Sequence, residues 1–122
     1  MKIEQIVHLL NGELLTKHND EGKEVSGAMG ADLMSDVLAS IMPEAALLTG
    51  LCNPQVVRTA LIADIRAIIF VRGKYPAKET MKIANDENIP LITTTHGMYE
   101  ACGILHKAGL PSLEMPANGS FA

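Results

Sequence analysis

The stretch Ala45-Ala46-Leu47-Leu48-Thr49-Gly50-Leu51-Cys52-Asn53-Pro54 decides the fold. Five apolar or hydroxyl residues without a charge are too short for a helix and suit a strand buried on both faces. Gly50 ends the run, and Asn53-Pro54 has the form of a helix cap followed by proline at the first helical position. Val56, Val57, Ala60 and Leu61 then supply one apolar helix face. The same order recurs downstream. A strand over 67–71 leads through Arg72-Gly73-Lys74-Tyr75-Pro76 into a helix over 77–88. A strand over 91–94 leads through Thr95 and His96 into a helix over 97–108. Strand, loop and helix repeated in this way predict a single-domain, layered α/β/α sandwich with a largely parallel sheet.

Upstream, Ile3, Ile6, Val7 and Leu10 share one helix face. Short strands are expected over 13–16 and 24–28, joined as a hairpin through His18-Asn19-Asp20-Glu21-Gly22. A helix over 33–41 follows, with Asp32 as its cap and Leu33, Met34, Val37, Leu38 and Ile41 as its buried stripe; Pro43 ends it. Because Asp36 is its one interior charge, this helix either covers the sheet or lies at an interface between chains. Met29, Met42 and Met115, at element ends, are further candidates for such a contact. Residues 1–110 form the domain, and 111–122, with Pro111, Pro116 and Asn118-Gly119, read as an extended C-terminal tail.

Composition narrows the function. The chain has 122 residues, a formal net charge of −4 and 48% apolar residues. One core fits that length, a mildly acidic chain is a poor nucleic-acid binder, and no apolar run reaches the roughly 20 residues of a membrane span. Two cysteines make no disulfide framework and agree with a cytoplasmic location. No phosphate-binding Walker loop, dinucleotide fingerprint or nucleophile elbow is present, and no carboxylate pair is set for acid–base work. Cys102 and His106 are four apart on one helix, but a zinc site needs further ligands from Cys52, His96, His8 or His18, so no metal and no cofactor are expected.

The loops at the strand ends offer more. In open α/β sheets ligands bind outside the carboxyl ends of the strands, where the winding reverses. Thr49, Asn53, Arg72, Gly73, Thr94 and Thr95 leave those ends here, with Tyr99 at the start of the last helix. Hydroxyls, an amide, cations and helix N-termini suit a phosphorylated ligand. With tryptophan absent and few large core side chains, a symmetric homodimer is expected.

Several stretches resemble the DRTGG domain family. They are the opening helix, Val25-Ser26-Gly27 to Gly30-Ala31-Asp32-Leu33-Met34-Ser35, Leu47-Leu48-Thr49-Gly50, and Ala67-Ile68-Ile69-Phe70-Val71-Arg72-Gly73. To these are added Ile89-Pro90-Leu91-Ile92 and Thr93-Thr94-Thr95 leading to Tyr99-Glu100. The resemblance spans about residues 1 to 110, although the five-letter string that names the family is absent. It implies a fold similar to the N-terminal domain of bacterial HPr kinase/phosphorylases, here as a stand-alone member. It also implies a non-catalytic regulatory or ligand-sensing role, answering to an adenine nucleotide, another phosphorylated small molecule or a partner protein. The alternative is an enzyme of unrecognised type acting around Thr95 and His96.

Overall fold

The computed structural model describes residues 1–17 and 23–117. The chain runs α1 (Ile3–Leu9), β1 (Glu13–Leu14), β2 (Gly27–Gly30), α2 (Met34–Ser40), β3 (Ala45–Thr49), α3 (Pro54–Ala63), β4 (Ala67–Phe70), α4 (Lys78–Asp86), β5 (Leu91–Thr93) and α5 (Met98–Lys107). The strands form one sheet in the order β1-β5-β4-β3-β2, with β1 antiparallel to β5 and the rest parallel. This is the expected layered α/β/α sandwich.

Alternation along the central strands sorts the core into two layers. Leu47, Ile68, Phe70 and Leu91 face Met34, Val37, Val57, Ala60 and Ala84, from α2, α3 and α4. Leu48, Ile69, Val71 and Ile92 face Ile6, Leu10, Ala101 and Leu105, from the α1 and α5 side. Each βαβ crossover thus lays its helix on one face, and the first and last helices close the other.

Five expectations are corrected. No hairpin joins the first two strands: β1 pairs with β5 at one edge, whereas β2 pairs with β3 at the opposite one. The polar turn assigned to that hairpin lies outside the described residues. Asp32 does not cap α2, whose N-cap is Leu33, with no side-chain cap hydrogen bond. In the stripe expected to be buried, Met34 and Val37 are buried, but Leu33 and Leu38 are exposed. Met29 is not at a chain contact but in the core, 4% exposed. Finally, β2 to β5 follow one another without a reversal of order, so the winding has no switch point of the kind that opens a crevice in doubly wound sheets.

The segment after α5 joins the sheet edge. The Ala28 N–H donates to the Pro111 carbonyl (2.9 Å) and the Leu113 N–H to the Ala28 carbonyl (3.0 Å). On the other side, the Met42 N–H donates to Leu113 (2.9 Å) and the Met115 N–H to Ser40 (2.7 Å). Residues 111–115 therefore form a strap between β2 and the α2–β3 link, and they cover an edge that would otherwise present open N–H and C=O groups. Asn118 and Gly119 lie outside the described residues.

Candidate functional site

Because β2, β3, β4 and β5 are parallel, the segments that follow them emerge on one rim. Four of these segments are tied together there. Asp32, after β2, accepts from the Gly50 N–H (2.6 Å) and the Thr49 hydroxyl (3.3 Å), both at the end of β3. Its second oxygen meets the Arg72 guanidinium, after β4, at 3.3 Å. The Arg72 N–H donates to the His96 carbonyl (2.7 Å) and the Gly73 N–H to the Thr94 carbonyl (2.8 Å), which fastens the loop after β5. Arg72 and Gly73 adopt left-handed backbone, φ 61° and 66°. Arg72 is not β-branched, and its two bonded amides offset the strain of that conformation.

Gly50 is required by this arrangement. A Cβ on it would collide with the Arg72 guanidinium and come within 3.4 Å of Asp32 Oδ1. The bare backbone lets the arginine lie across the end of β3 and reach Asp32. The loop after β5 then runs over the rim to α5, whose Met98 sulfur lies where a Cβ on Gly30 would come within 2.9 Å of it. The chain thereby crosses from β5 to the far side of β2.

The predicted site residues divide into two groups. Thr49 and Thr94 are buried and serve the fold. The Thr49 hydroxyl bonds Asp32 and accepts from the Leu51 N–H (3.1 Å). The Thr94 hydroxyl donates to the Leu10 carbonyl (2.8 Å) and accepts from the His96 N–H (3.3 Å). The exposed group comprises Asn53, Arg72, Gly73, Thr95 and Tyr99. Asn53 caps α3 by accepting from the Gln55 N–H (3.0 Å). Tyr99 stands 93% exposed at the first turn of α5, and the Gly97 N-cap gives that turn no side-chain hydrogen bond.

Asp32 is the rim residue missed in the sequence. An aspartate before an apolar helical run gives the same signal whether it caps that helix or reaches across the sheet. Here the Gly50 N–H, aided by the charge of Arg72, holds its carboxyl below the ordinary carboxylate range against the opposing effect of partial burial. A depressed folded-state value gives stability above the unfolded value near 4, and that stability is lost as pH falls through the lower folded value. In urea titrations Asp32→Asn is therefore expected to be less stable than the parent at pH 6, with the gap narrowing toward pH 3. A gap independent of pH would contradict the ionic role of Asp32.

Neither cysteine is activated. Burial pushes the Cys52 thiol up, and burial followed by the Glu114 charge does the same to Cys102. Among the described residues no cluster of three or more His, Cys, Asp or Glu could hold a metal ion; His18 lies outside them. No helix among them is long and apolar enough to cross a membrane.

A largely parallel sheet wound in one direction, covered on both faces, with its strand-end segments cross-linked through one carboxylate, defines an α/β/α domain that presents a polar rim. The family model for the DRTGG domain matches residues 5–108, and the chain belongs to that family. A similar solved structure comprises the CBS and DRTGG domains of the regulatory region of Clostridium perfringens pyrophosphatase, complexed with its activator diadenosine tetraphosphate. It shares 16% identity at a TM-score of 0.66, over 96% of this chain and 51% of that one. The likeness is one of fold, and the present chain spans about half the length of that neighbour. Comparison with curated proteins gave no match.

Proposed function

We propose that this chain is a regulatory, ligand-sensing module rather than a catalyst. In this reading it binds an adenine nucleotide or another phosphorylated small molecule on the Arg72 side of the rim and acts as a homodimer. The carrying observation is the placement of Arg72: its side chain is 43% exposed and its guanidinium is bound to Asp32 by one 3.3 Å contact, leaving further N–H donors for an anion. Lys74, exposed two residues after Arg72, adds a second cation to this loop, and the uncapped first turn of α5 adds backbone donors. The pyrophosphatase neighbour's nucleotide activator supports nucleotides as the first ligands to try.

The catalytic alternative around Thr95 and His96 needs a carboxylate partner for the imidazole. On this rim Asp32 is committed to Gly50, Thr49 and Arg72, and no described hydrogen bond links His96 to a carboxylate. Non-catalytic binding is the reading that these contacts favour.

Calorimetric titration with AMP, ATP and diadenosine tetraphosphate tests it. Saturable heat is expected from at least one of them. Arg72→Ala should weaken binding about ten- to a hundredfold, as loss of a charge-assisted hydrogen bond implies. Gly50→Ala, which displaces the guanidinium and leaves the sheet in place, should reproduce most of that loss. Absence of heat at millimolar concentrations of all three ligands overturns the proposal.

A further inference from the structure

We infer that the exposed face of α5 receives α5 of a second copy of this chain, antiparallel, across a twofold axis through Gly103. This inference rests on the homodimer proposed above and names its interface. At about 100° per residue, Tyr99, Glu100, Gly103, His106 and Lys107 occupy roughly one third of the helix circumference, centred on Gly103. All five are exposed.

Each has a feature the single chain leaves unused. Glycine is unfavourable in a helix interior, yet a Cβ at Gly103 would meet nothing within 4 Å, so nothing in the single chain requires its bare backbone. A second helix crossing there would use it for close approach. Tyr99 holds a large ring in solvent beside a groove of about 640 Å³, which α5 shares with the strap residues Pro111, Ser112 and Glu114. A projecting ring next to a groove on the same face is what a self-complementary, isologous contact needs.

Charge fixes the direction. α5 carries Glu100 in its first turn and His106 and Lys107 in its last. Antiparallel pairing about Gly103 sets Glu100 of each copy against His106 and Lys107 of the other. Parallel pairing would oppose like charges at both ends.

Sedimentation equilibrium at low salt tests this on the full chain. The parent protein is expected to be a dimer. Glu100→Lys and Lys107→Glu should each weaken it at least tenfold, and an equimolar mixture of the two should recover dimer, because opposite charges then face one another. Gly103→Gln, which meets open space in the single chain, should remain folded by circular dichroism and become monomeric. Leu38→Asp with Ile62→Asp, on the opposite layer of helices, should leave the dimer intact. A parent dimer unmoved by the α5 substitutions, or dissociated by the Leu38 and Ile62 pair, overturns the interface while the homodimer stands. A parent chain that is monomeric at every concentration overturns both.

Discussion

Phe70→Ala is expected to cost about 3–5 kcal/mol, as deletion of a buried aromatic ring does. That is a large share of the roughly 5–15 kcal/mol that holds a domain of this size together. Phe70 is fully buried on the central strand β4 and packs within the layer of α2, α3 and α4. Its neighbours in that layer are aliphatic side chains and the methionines Met29 and Met34, none of which carries a ring to fill the vacated space. The backbone bonds at this position connect to the rim: the Thr94 N–H donates to the Phe70 carbonyl at 3.0 Å, and Arg72 follows two residues later. Urea denaturation should show the midpoint falling with little change in slope. Phe70→Leu should lose less than about 1.5 kcal/mol, because most of the volume remains. A loss for Phe70→Ala below that figure would mean that the layer closes over the vacated space.

The three strand–loop–helix units from β3 to α5 are legible because each strand is a short, charge-free apolar run followed by turn residues and then a helical period; β2, read as part of a hairpin, is not. Those local signals agree with one another and with the parallel topology. Residues whose structure depends on a distant partner are not legible in this way. β1 is two residues long, and nothing in Glu13-Leu14 favours β5 as its partner over β2. The strap has the same difficulty: Pro111 and Pro116 read as loop punctuation, while its order comes from the β2 edge some 80 residues earlier. Asp32 is visible as a residue but not as a partner of Arg72, since their meeting requires β2, β3 and β4 to lie side by side. The strand-end residues were identifiable as a group from topology. Their division into buried supports, Thr49 and Thr94, and exposed donors, Arg72 and Thr95, required the hydrogen bonds.

The rim and the α5 face are connected through the loop after β5. The loop after β5 lies over Arg72 and leads into α5, and the chain beyond α5 returns along β2. A ligand pulling on Arg72 would therefore act on the loop that carries α5, and α5 borders the groove that the strap completes. Packed and hydrogen-bonded segments thus run without a break from the rim to the α5 face.

Gly27→Val is expected to expel the strap. A Cβ on Gly27 would stand 2.5 Å from both Leu113 Cγ and the Pro111 carbonyl oxygen, and the second of these is backbone that a rotamer change cannot move. Displacing residues 111–115 removes four backbone hydrogen bonds, those of Ala28 with Pro111, Leu113 with Ala28, Met42 with Leu113 and Met115 with Ser40. At about 0.5–1 kcal/mol net for each, the loss is roughly 2–4 kcal/mol. The decisive comparison is with a chain ending at Leu110. If the steric conflict acts only through the strap, each change alone costs a similar amount. The two together then cost little more than one, because the strap can be lost once. The uncovered β2 edge should also associate through strand pairing at raised protein concentration, visible as light scattering in both altered chains. Additive losses would place the conflict at Gly27 elsewhere than against the strap, and an unchanged midpoint in the shortened chain would mean that residues 111–115 rest on the sheet without stabilising it.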